Sequence, residues 1–457
     1  MRRPLEMAAW GGTRPNPTSP RERIKSAMKI LFLTHYYAPE GNAPATRVDA
    51  LTRRWSDRGH SVRVITCVPN VPDGKVYSGY RNRWWPQRET RHQVEVQRVW
   101  TFLAANRGTS LRIVNYLSFL WSVCLLAPFQ PRPDILIATS PQFFCGWAGV
   151  IQKWVFRILR PGARRRIPLV LEIRDIWPES IQAVGALRGR AVLSVLRWLE
   201  KTMYQQADWI VTVGDGYKRQ LIERGVPESK IEVVPNGVDW DILAGATSEG
   251  AQAIRKQYDL SNRFVCGYLG TIGMACGLEV VLKAAQRCLK DPDLSSVQFL
   301  IVGDGAVRAS LQEQADASGL TNVRFTGRVP KEQIPDWLQV CDACLVHLKA
   351  QPLFETVLPS KIFEAFGMSK PIILGVRGEA AKLVELAGGG MVIEPENADE
   401  LVEAVRWMMR HPDQANQMGQ DACAWVRRHY DRDHLSDRYL KLLDRWRADE
   451  RDGARNR

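Results

Sequence analysis

The sequence predicts two α/β units in series, each a doubly wound parallel sheet with helices on both faces. Three observations carry that prediction. Short, near-continuous runs of Val, Ile and Leu recur, as in strands buried on both faces of a parallel sheet. Segments with apolar residues at helical spacing follow them, the alternation of a βαβ chain. The 457 residues exceed one ordinary domain and allow two cores.

In the first half the expected strands are 29–34, 62–66, 134–139, 169–174, 209–213 and 231–234. The helix after the first places Val48, Leu51 and Trp55 on one face, with Arg53, Arg54 and Arg58 elsewhere, and Gly59 as its stop. The second half repeats the scheme with strands at 264–268, 297–302, 323–325, 344–348, 371–374 and 391–393. Helical spacing dominates the end, through 401–409, 422–429 and 435–446. Periodicity lapses near 236–250, which marks the join. The expected organisation is a disordered leader over 1–27, a first domain over 28–240, a second over 241–425, and over 426–457 a helix returning toward the first lobe, with a tail. The longest apolar run, Ile113 to Phe129, has 17 positions. A membrane span needs about 20, so the run reads as a core helix.

Apolar residues at 45% and charged residues at 25% exclude wholesale disorder. The net charge of +14 is uneven: +4 over 1–27, +13 over 28–240 and −3 over 241–457. A basic first half and a slightly acidic second half suggest that the first meets something anionic. Nine irregularly spaced cysteines form no disulfide framework, and the first 20 residues lack the apolar core of a signal peptide, so a reducing compartment is expected.

Ligands of open α/β sheets lie beyond the carboxyl ends of the strands, here the cleft between lobes. Gly270-Thr271-Ile272-Gly273 and Gly303-Asp304-Gly305 both follow strands, where backbone N–H groups can hold a phosphate. Neither completes G-x-G-x-x-G, which disfavours NAD. Ser360 suits a helix N-cap, while Lys361 in the first turn opposes the helix dipole unless an anion sits there. Glu364, one turn on, either accepts from sugar hydroxyls or caps its own helix. The charged cluster of Glu172, Arg174, Asp175 and Glu179 at a strand end, with Trp177, is either a site or a structural ion pair. His35 is balanced between packing and a cleft role. Cys341, Cys344 and His347 have metal-like spacing, but their apolar strand pattern reads as buried thiols. Two stretches mix aromatic and basic residues: one over 81–91, the other running from Phe143, Phe144, Trp147, Trp154 and Phe156 to Arg160, Arg164, Arg165 and Arg166. Such chemistry suits a membrane interface, stacking on single-stranded nucleic acid, or plain packing.

Taken in order, APEGNAPATR, EIRDIWPES, the stretch ending in VVPNGVD, YLGTIG, LIVGDG, VRFTGRVP and PSKIFEAFGMSKPIIL resemble the family 4 glycosyltransferases of the GT-B architecture. Within them the chain is most similar to the fucosaminyltransferase-like subgroup of bacterial O-antigen and capsule synthesis, over about residues 28–450. The resemblance implies two Rossmann-like domains facing a cleft, and retaining, metal-independent transfer from a nucleotide sugar that is a substrate, so no cofactor. It implies that Glu364, as the second Glu of E-x7-E, binds ribose. Gly270, Thr271, Ser360 and Lys361 would surround the diphosphate. Gly303, Arg328 and Val329 would line the base, Gly41 would face the donor phosphate, and His35 and Arg47 the acceptor. Three positions depart from the family: Thr356 stands for the first Glu, with Glu355 adjacent; Thr271 and Cys276 occupy the stretch of the usual Arg and Lys; and Arg174-Asp175 replaces His-Asp. Lys361 is then the replacement cation, and Asp175, with Arg174 and Glu364, is expected to serve the reacting sugar.

The expected partners are a UDP-sugar donor, a polyprenyl-diphosphate-linked saccharide and the cytoplasmic face of a bacterial inner membrane, bound peripherally. A nucleotide-sugar epimerase on the same scaffold is the alternative. Nucleic acid is not an expected partner, because it leaves the phosphate-type turns of the second half unexplained.

Overall fold

The computed structural model describes residues 27–71, 73–104, 110–159, 166–176 and 190–455. The expected leader lies outside these apart from its last residue, as do Trp177, Glu179, Arg160, Arg164 and Arg165.

Two sheets form. The first contains β1 (Lys29–Leu33), β2 (Ser61–Cys67), β3 (Gln87–Arg91), β4 (Val94–Val99), β5 (Ile135–Thr139), β6 (Leu169–Ile173), β7 (Trp209–Thr212) and β8 (Ile231–Val233). Their order is β3-β4-β2-β1-β5-β6-β7-β8. The second contains β9 (Phe264–Leu269), β10 (Val297–Val302), β11 (Val323–Gly327), β12 (Ala343–His347), β13 (Ile372–Gly375) and β14 (Gly390–Val392), ordered β11-β10-β9-β12-β13-β14. All pairings are parallel except β3 with β4. That edge hairpin falls where the sequence shows only a basic, aromatic stretch. Its turn uses His92 and Gln93 at positive φ, so the Asn-Gly or Asp-Gly signal of a tight hairpin is missing.

Two-residue alternation along the strands divides each core. In the first lobe Leu31, Leu33, Leu136 and Leu171 face the helices Ser110–Leu126, Phe143–Leu159 and Arg190–Gln206. On the other face Ile30, Phe32, Val64 and Ile137 meet the helix Ala43–Asp57 and the last helix, Arg432–Arg455. That last helix belongs to the first lobe by packing: Trp446 stacks on Trp209 at 4.9 Å, and Tyr439 meets Trp55 edge-on at 5.3 Å.

The apolar run 113–129 corrects an expectation. It does not lie in the core. Tyr116, Phe119 and Val123 anchor one side, but only 28% of the stretch Leu111–Phe129 is buried. By length and composition alone this is the one helix among the described residues that could cross a membrane, yet here it lies along the lobe surface. For the aromatic residues at 143–156 the packing alternative holds in four of five cases. Phe143 and Phe156 are buried and Phe144 and Trp147 pack against the core, so of that group Trp154 alone is well exposed. All nine cysteines are free thiols, seven of them buried.

The lobes are tied at Asp239. Arg54 of the first lobe and Arg432 of the last helix reach its carboxylate at 3.2 and 3.1 Å, with Arg53 at 3.9 Å. Burial alone would raise the Asp239 carboxyl; the charges of Arg432 and Arg54 overcome it and hold the group below its usual range. Replacing Asp239 with Ala leaves Arg54 and Arg432 buried without their shared anion. The expected cost is about 3–5 kcal/mol, read as a lower melting temperature, and Arg432→Ala should be strongly non-additive with it. Because the folded pKa is depressed, the contribution is present above the unfolded value of about 4 and is lost as pH falls below it. A melting temperature unchanged by Asp239→Ala would refute the tie.

Candidate functional site

Each sheet reverses its strand order beside its central strand, between β1 and β5 in the first and between β9 and β12 in the second. Such switch points open a crevice at the strands' carboxyl ends. The loops after β1, β5 and β6 carry His35, Ser140 and Arg174; those after β9 and β10 carry Gly270 and Gly303.

In the second lobe the two glycine turns zip together. Gly270 N–H donates to the Val302 carbonyl at 2.8 Å, Ile272 N–H to Asp304 at 3.0 Å and Gly303 N–H to Gly327 at 2.9 Å. A Cβ on Gly303 would stand 2.0 Å from the Gly270 carbonyl oxygen, and both glycines hold φ near +135°. Only glycine fits there. Thr271 is exposed beside them.

Lys361 comes to the same place from the short helix Lys361–Gly367. Its Nζ lies 3.6 Å from the centre of the Tyr268 ring and 3.0 Å from where a Gly270 Cβ would stand. Tyr268 is fixed in turn, its hydroxyl donating to the Thr271 carbonyl at 2.6 Å. The Lys361 ammonium forms no ion pair among the described residues. Burial lowers its pKa to about 8. Ser360 does not cap this helix with its side chain, contrary to expectation, because its own backbone is already helical. Glu364 opens toward solvent in the cleft and makes no hydrogen bond back to its helix, so the capping alternative fails. Crowding by the cleft walls raises its carboxyl, against the opposing charges of Arg432, Lys361 and Lys331.

The first lobe reassigns several residues. Arg47 spends all five donors internally: on Glu172 at 3.2 and 3.4 Å, the carbonyls of Val234 and Pro235, and the Asn236 side chain. It has none left for an acceptor, which corrects that expectation. Arg174 is likewise a brace: Nε and Nη2 donate to the Ser140 carbonyl and Nη1 to that of Pro44, and burial lowers its pKa to about 10. Glu172 is fully buried, so the charged cluster is in part a structural pair. His35 is enclosed edge-on by Tyr36, Tyr116 and Phe119. Burial drives its pKa to about 3, so it is a neutral core group without an open edge for an acceptor. Asp175 is half-buried, within electrostatic reach of Arg112, Arg174 and Tyr217, and lines a small cavity with Ser140, Gln142 and Tyr204. Gly41 stands in open space just before the helix that Asn42 caps.

Contacts across the cleft were less legible. Arg328 donates to the Tyr77 hydroxyl of the first lobe at 2.7 Å, next to the half-buried Val329. Thr356, at the position of the absent first Glu, accepts from Gln220 of the first lobe at 3.0 Å. Lys331 was missed. Burial lowers its pKa, while Asp49, Asp239 and Glu364 favour its charge from both sides of the cleft. Its position in the loop after β11 was the available signal. The Cys-x-x-Cys-x-x-His spacing is structural: His347 uses Nδ1 on the Cys276 carbonyl at 2.7 Å and Nε2 on the Glu396 N–H at 2.8 Å.

Residues 42–237 match the family described as glycosyl transferase 4-like domain, and residues 251–425 that of glycosyl transferases group 1. The chain is 27% identical over 399 residues to WcaI of Escherichia coli K12, assigned as a glycosyl transferase of colanic acid biosynthesis, covering 84% of this chain and 93% of that one. Against the D-rhamnosyltransferase WbpZ of Pseudomonas aeruginosa it is 28% identical over 244 residues, 53% of this chain and 60% of that one. Among solved structures, Anabaena HepE in complex with UDP and glucose superposes with a TM-score of 0.67 at 19% identity, over 91% of this chain and 99% of that one. Sucrose-phosphate synthase of Thermosynechococcus elongatus gives 0.71 at 16%, over 92% and 99%.

The Lys361 environment is directly testable by competitive acylation read by mass spectrometry. A free lysine titrates near 10.4. Labelling of Lys361 should reach half its maximum near pH 8, because the lowered pKa exposes the neutral amine earlier. A midpoint shared with the other lysines would contradict the geometry.

Proposed function

We propose that this chain, which belongs to the family 4 glycosyltransferases of the GT-B type, transfers a sugar with retention from a UDP-sugar to a polyprenyl-diphosphate-linked saccharide. In this reading the sugar is an N-acetylated amino sugar, as the resemblance implies, and the product is a surface polysaccharide, the latter supported by the relative assigned to colanic acid biosynthesis. The enzyme works peripherally at the cytoplasmic face of the inner membrane. The carrying observation is Lys361: an ammonium without an ion-pair partner among the described residues, held over Tyr268 and against the two interlocked glycine turns.

Glycosyl transfer breaks the bond between the anomeric carbon and the diphosphate, and the electron pair leaves with the phosphate. Preorganised cations and N–H groups aimed at that growing charge lower the barrier most. Lys361 fills this role, with Gly270, Thr271 and Ser360 around the diphosphate and Gly41 approaching it from the opposite lobe. Glu364 accepts from the ribose hydroxyls. Gly303 and Val329 line the base, with Arg328 turned across the cleft to Tyr77. Asp175 orients the reacting sugar and supports its oxocarbenium-like character, while Arg174 braces the loop that presents it. The departing phosphate oxygen takes the acceptor's proton, so no separate general base is required. The nucleotide sugar is a substrate, and Lys361 supplies the positive charge a metal would otherwise bring. The epimerase alternative gains nothing from this geometry or from relatives named for transfer.

Thermal stability against UDP, GDP, dTDP, ADP and NAD tests the donor assignment. UDP at about 100 times its dissociation constant should add about 2.7 kcal/mol, and Glu364→Ala and Lys361→Met should each lose most of it. A shift by NAD alone, or by no nucleotide, would sink the assignment. Binding of a UDP-sugar should weaken as pH rises through about 8, where the free Lys361 deprotonates. Lys361→Arg should remove that dependence, since a guanidinium stays charged. Retention is read from the anomeric configuration of the product.

A further inference from the structure

The first lobe exposes a surface whose chemistry the donor site does not use. Among the described residues twenty large hydrophobic side chains are exposed, and only four of them, Met274, Leu289, Leu386 and Val392, belong to the second lobe. On the helix Ser110–Leu126, Leu111, Val114, Leu117, Trp121 and Leu125 recur every three or four residues, making a single stripe opposite the side anchored by Tyr116, Phe119 and Val123. From Leu111 to Leu125 the stripe runs about 21 Å at 1.5 Å per residue and continues into Phe129, 79% exposed. Two neighbouring helices of the same layer extend it. The helix Phe143–Leu159 shows Trp154 and Ile158, and the helix Arg190–Gln206 shows Val195 and Trp198. The latter two helices are joined where Lys153 Nζ and Trp154 Nε1 meet Gln206.

The charge on these three helices is mostly basic. Their described charged side chains are Arg112, Lys153, Arg157, Arg197 and Lys201 against one acid, Glu200, which is buried and accepts from Arg224 at 2.7 Å. Arg157, Arg166, Arg197 and Lys201 are exposed on or beside the apolar helices.

We propose that this three-helix face inserts its apolar side chains into the interfacial zone of an anionic lipid bilayer, with tryptophans at headgroup depth and basic side chains against lipid phosphates. The inference deepens the reading above and rests on it for its purpose, but its observations are separate. A broad apolar stripe with basic flanks is the pattern of a helix lying in the membrane plane. It differs from electrostatic adhesion alone, in which high salt would release the protein entirely. The placement also orders the acceptor. The stripe begins at Leu111, and the adjacent Arg112 bonds the Tyr116 hydroxyl at 3.0 Å within electrostatic reach of Asp175. A lipid lying along the stripe would therefore present its phosphate-bearing head to the cleft.

Co-sedimentation of the full chain with phosphatidylcholine vesicles, with and without about 30% phosphatidylglycerol, tests the face. The anionic vesicles should bind the protein at least tenfold more strongly than the neutral ones. About 0.5 M salt should weaken that binding yet leave a residue above the protein-only control. The pair Leu117→Glu and Trp121→Glu should lower partitioning at least tenfold and abolish the salt-resistant residue, as should Trp198→Glu. The UDP-induced thermal shift of these variants should match the parent, showing an intact fold and donor site. Vesicle binding by the variants equal to the parent, or none by the parent, overturns the inference. So does a dimer in sedimentation that the same substitutions dissociate, since the face would then be a subunit contact. Turnover is not needed for any of these readouts. A protein that binds vesicles but shifts with no nucleotide keeps the membrane face and loses the glycosyltransferase site; the converse result does the reverse.

Discussion

One carboxylate, Asp239, holds the two lobes in register. Three arginines from two directions converge on it: Arg53 and Arg54 from the helix behind the first sheet, Arg432 from the start of the last helix. A single buried anion shared by several cations is tolerable only when the geometry is complete, because each partner removed leaves an uncompensated charge behind. Around this point the chain crosses from one lobe to the other and later returns. Arg432 also donates to the Gly237 carbonyl, and the Val238 N–H donates to that of Tyr430, so the outgoing and returning segments are stitched side by side. The cleft opens beside this junction, where Lys331 feels both Asp239 and Glu364.

Next to that saturated cluster the cleft contains the opposite arrangement. Lys361 and Glu364 stand at its second-lobe wall without ion-pair partners among the described residues, and Lys331 feels Asp49 from across the gap. The protein neutralises Asp239 several times over and leaves Lys361 against an aromatic ring. A ring face offers a cation a modest attraction that is far weaker than a carboxylate's at the same depth. Burial is therefore left largely uncompensated and lowers the Lys361 pKa to about 8. Such a group gains most from an arriving diphosphate, which is the electrostatic preorganisation a departing phosphate needs.

Legibility in the sequence followed the length scale of each signal. Strands announce themselves by short apolar runs, and twelve were readable to within a residue or two, although β8, β11 and β14 are only partly buried. The β3–β4 hairpin was not, because QRETR is an edge strand with alternating exposure and its turn uses His92 and Gln93 without glycine. The second-lobe wall was legible because glycines at forced positive φ and a misplaced lysine are local features. Arg47, Arg174 and His35 misled for a common reason. His35 and Arg174 follow strands and Arg47 lies early in the helix after β1, all functional addresses, but whether a side chain turns outward or into the lobe depends on partners far away in sequence. Arg47 and Glu172 are 125 residues apart. The surface helix 110–126 misled through composition, since an apolar run reads alike whether both of its sides are covered or one.

The charge imbalance of the first lobe needs the same discrimination. A net +13 over 28–240 invites the conclusion that the lobe is a basic binding surface. Yet many of its cations are spent internally: Arg47 on Glu172, Arg54 on Asp239, Arg98 on Glu89 and the Ala38 carbonyl, Lys153 on Asp208. Those charges contribute to the fold and little to the field outside. What remains includes the exposed Arg157, Arg166, Arg197 and Lys201 on or beside the three apolar helices. Apolar stripe and exposed basic side chains therefore coincide on one face of the first lobe. Two independent properties, hydropathy and charge, thus support the proposed lipid-facing side, and Arg112 in the first turn of the stripe-bearing helix is within electrostatic reach of Asp175.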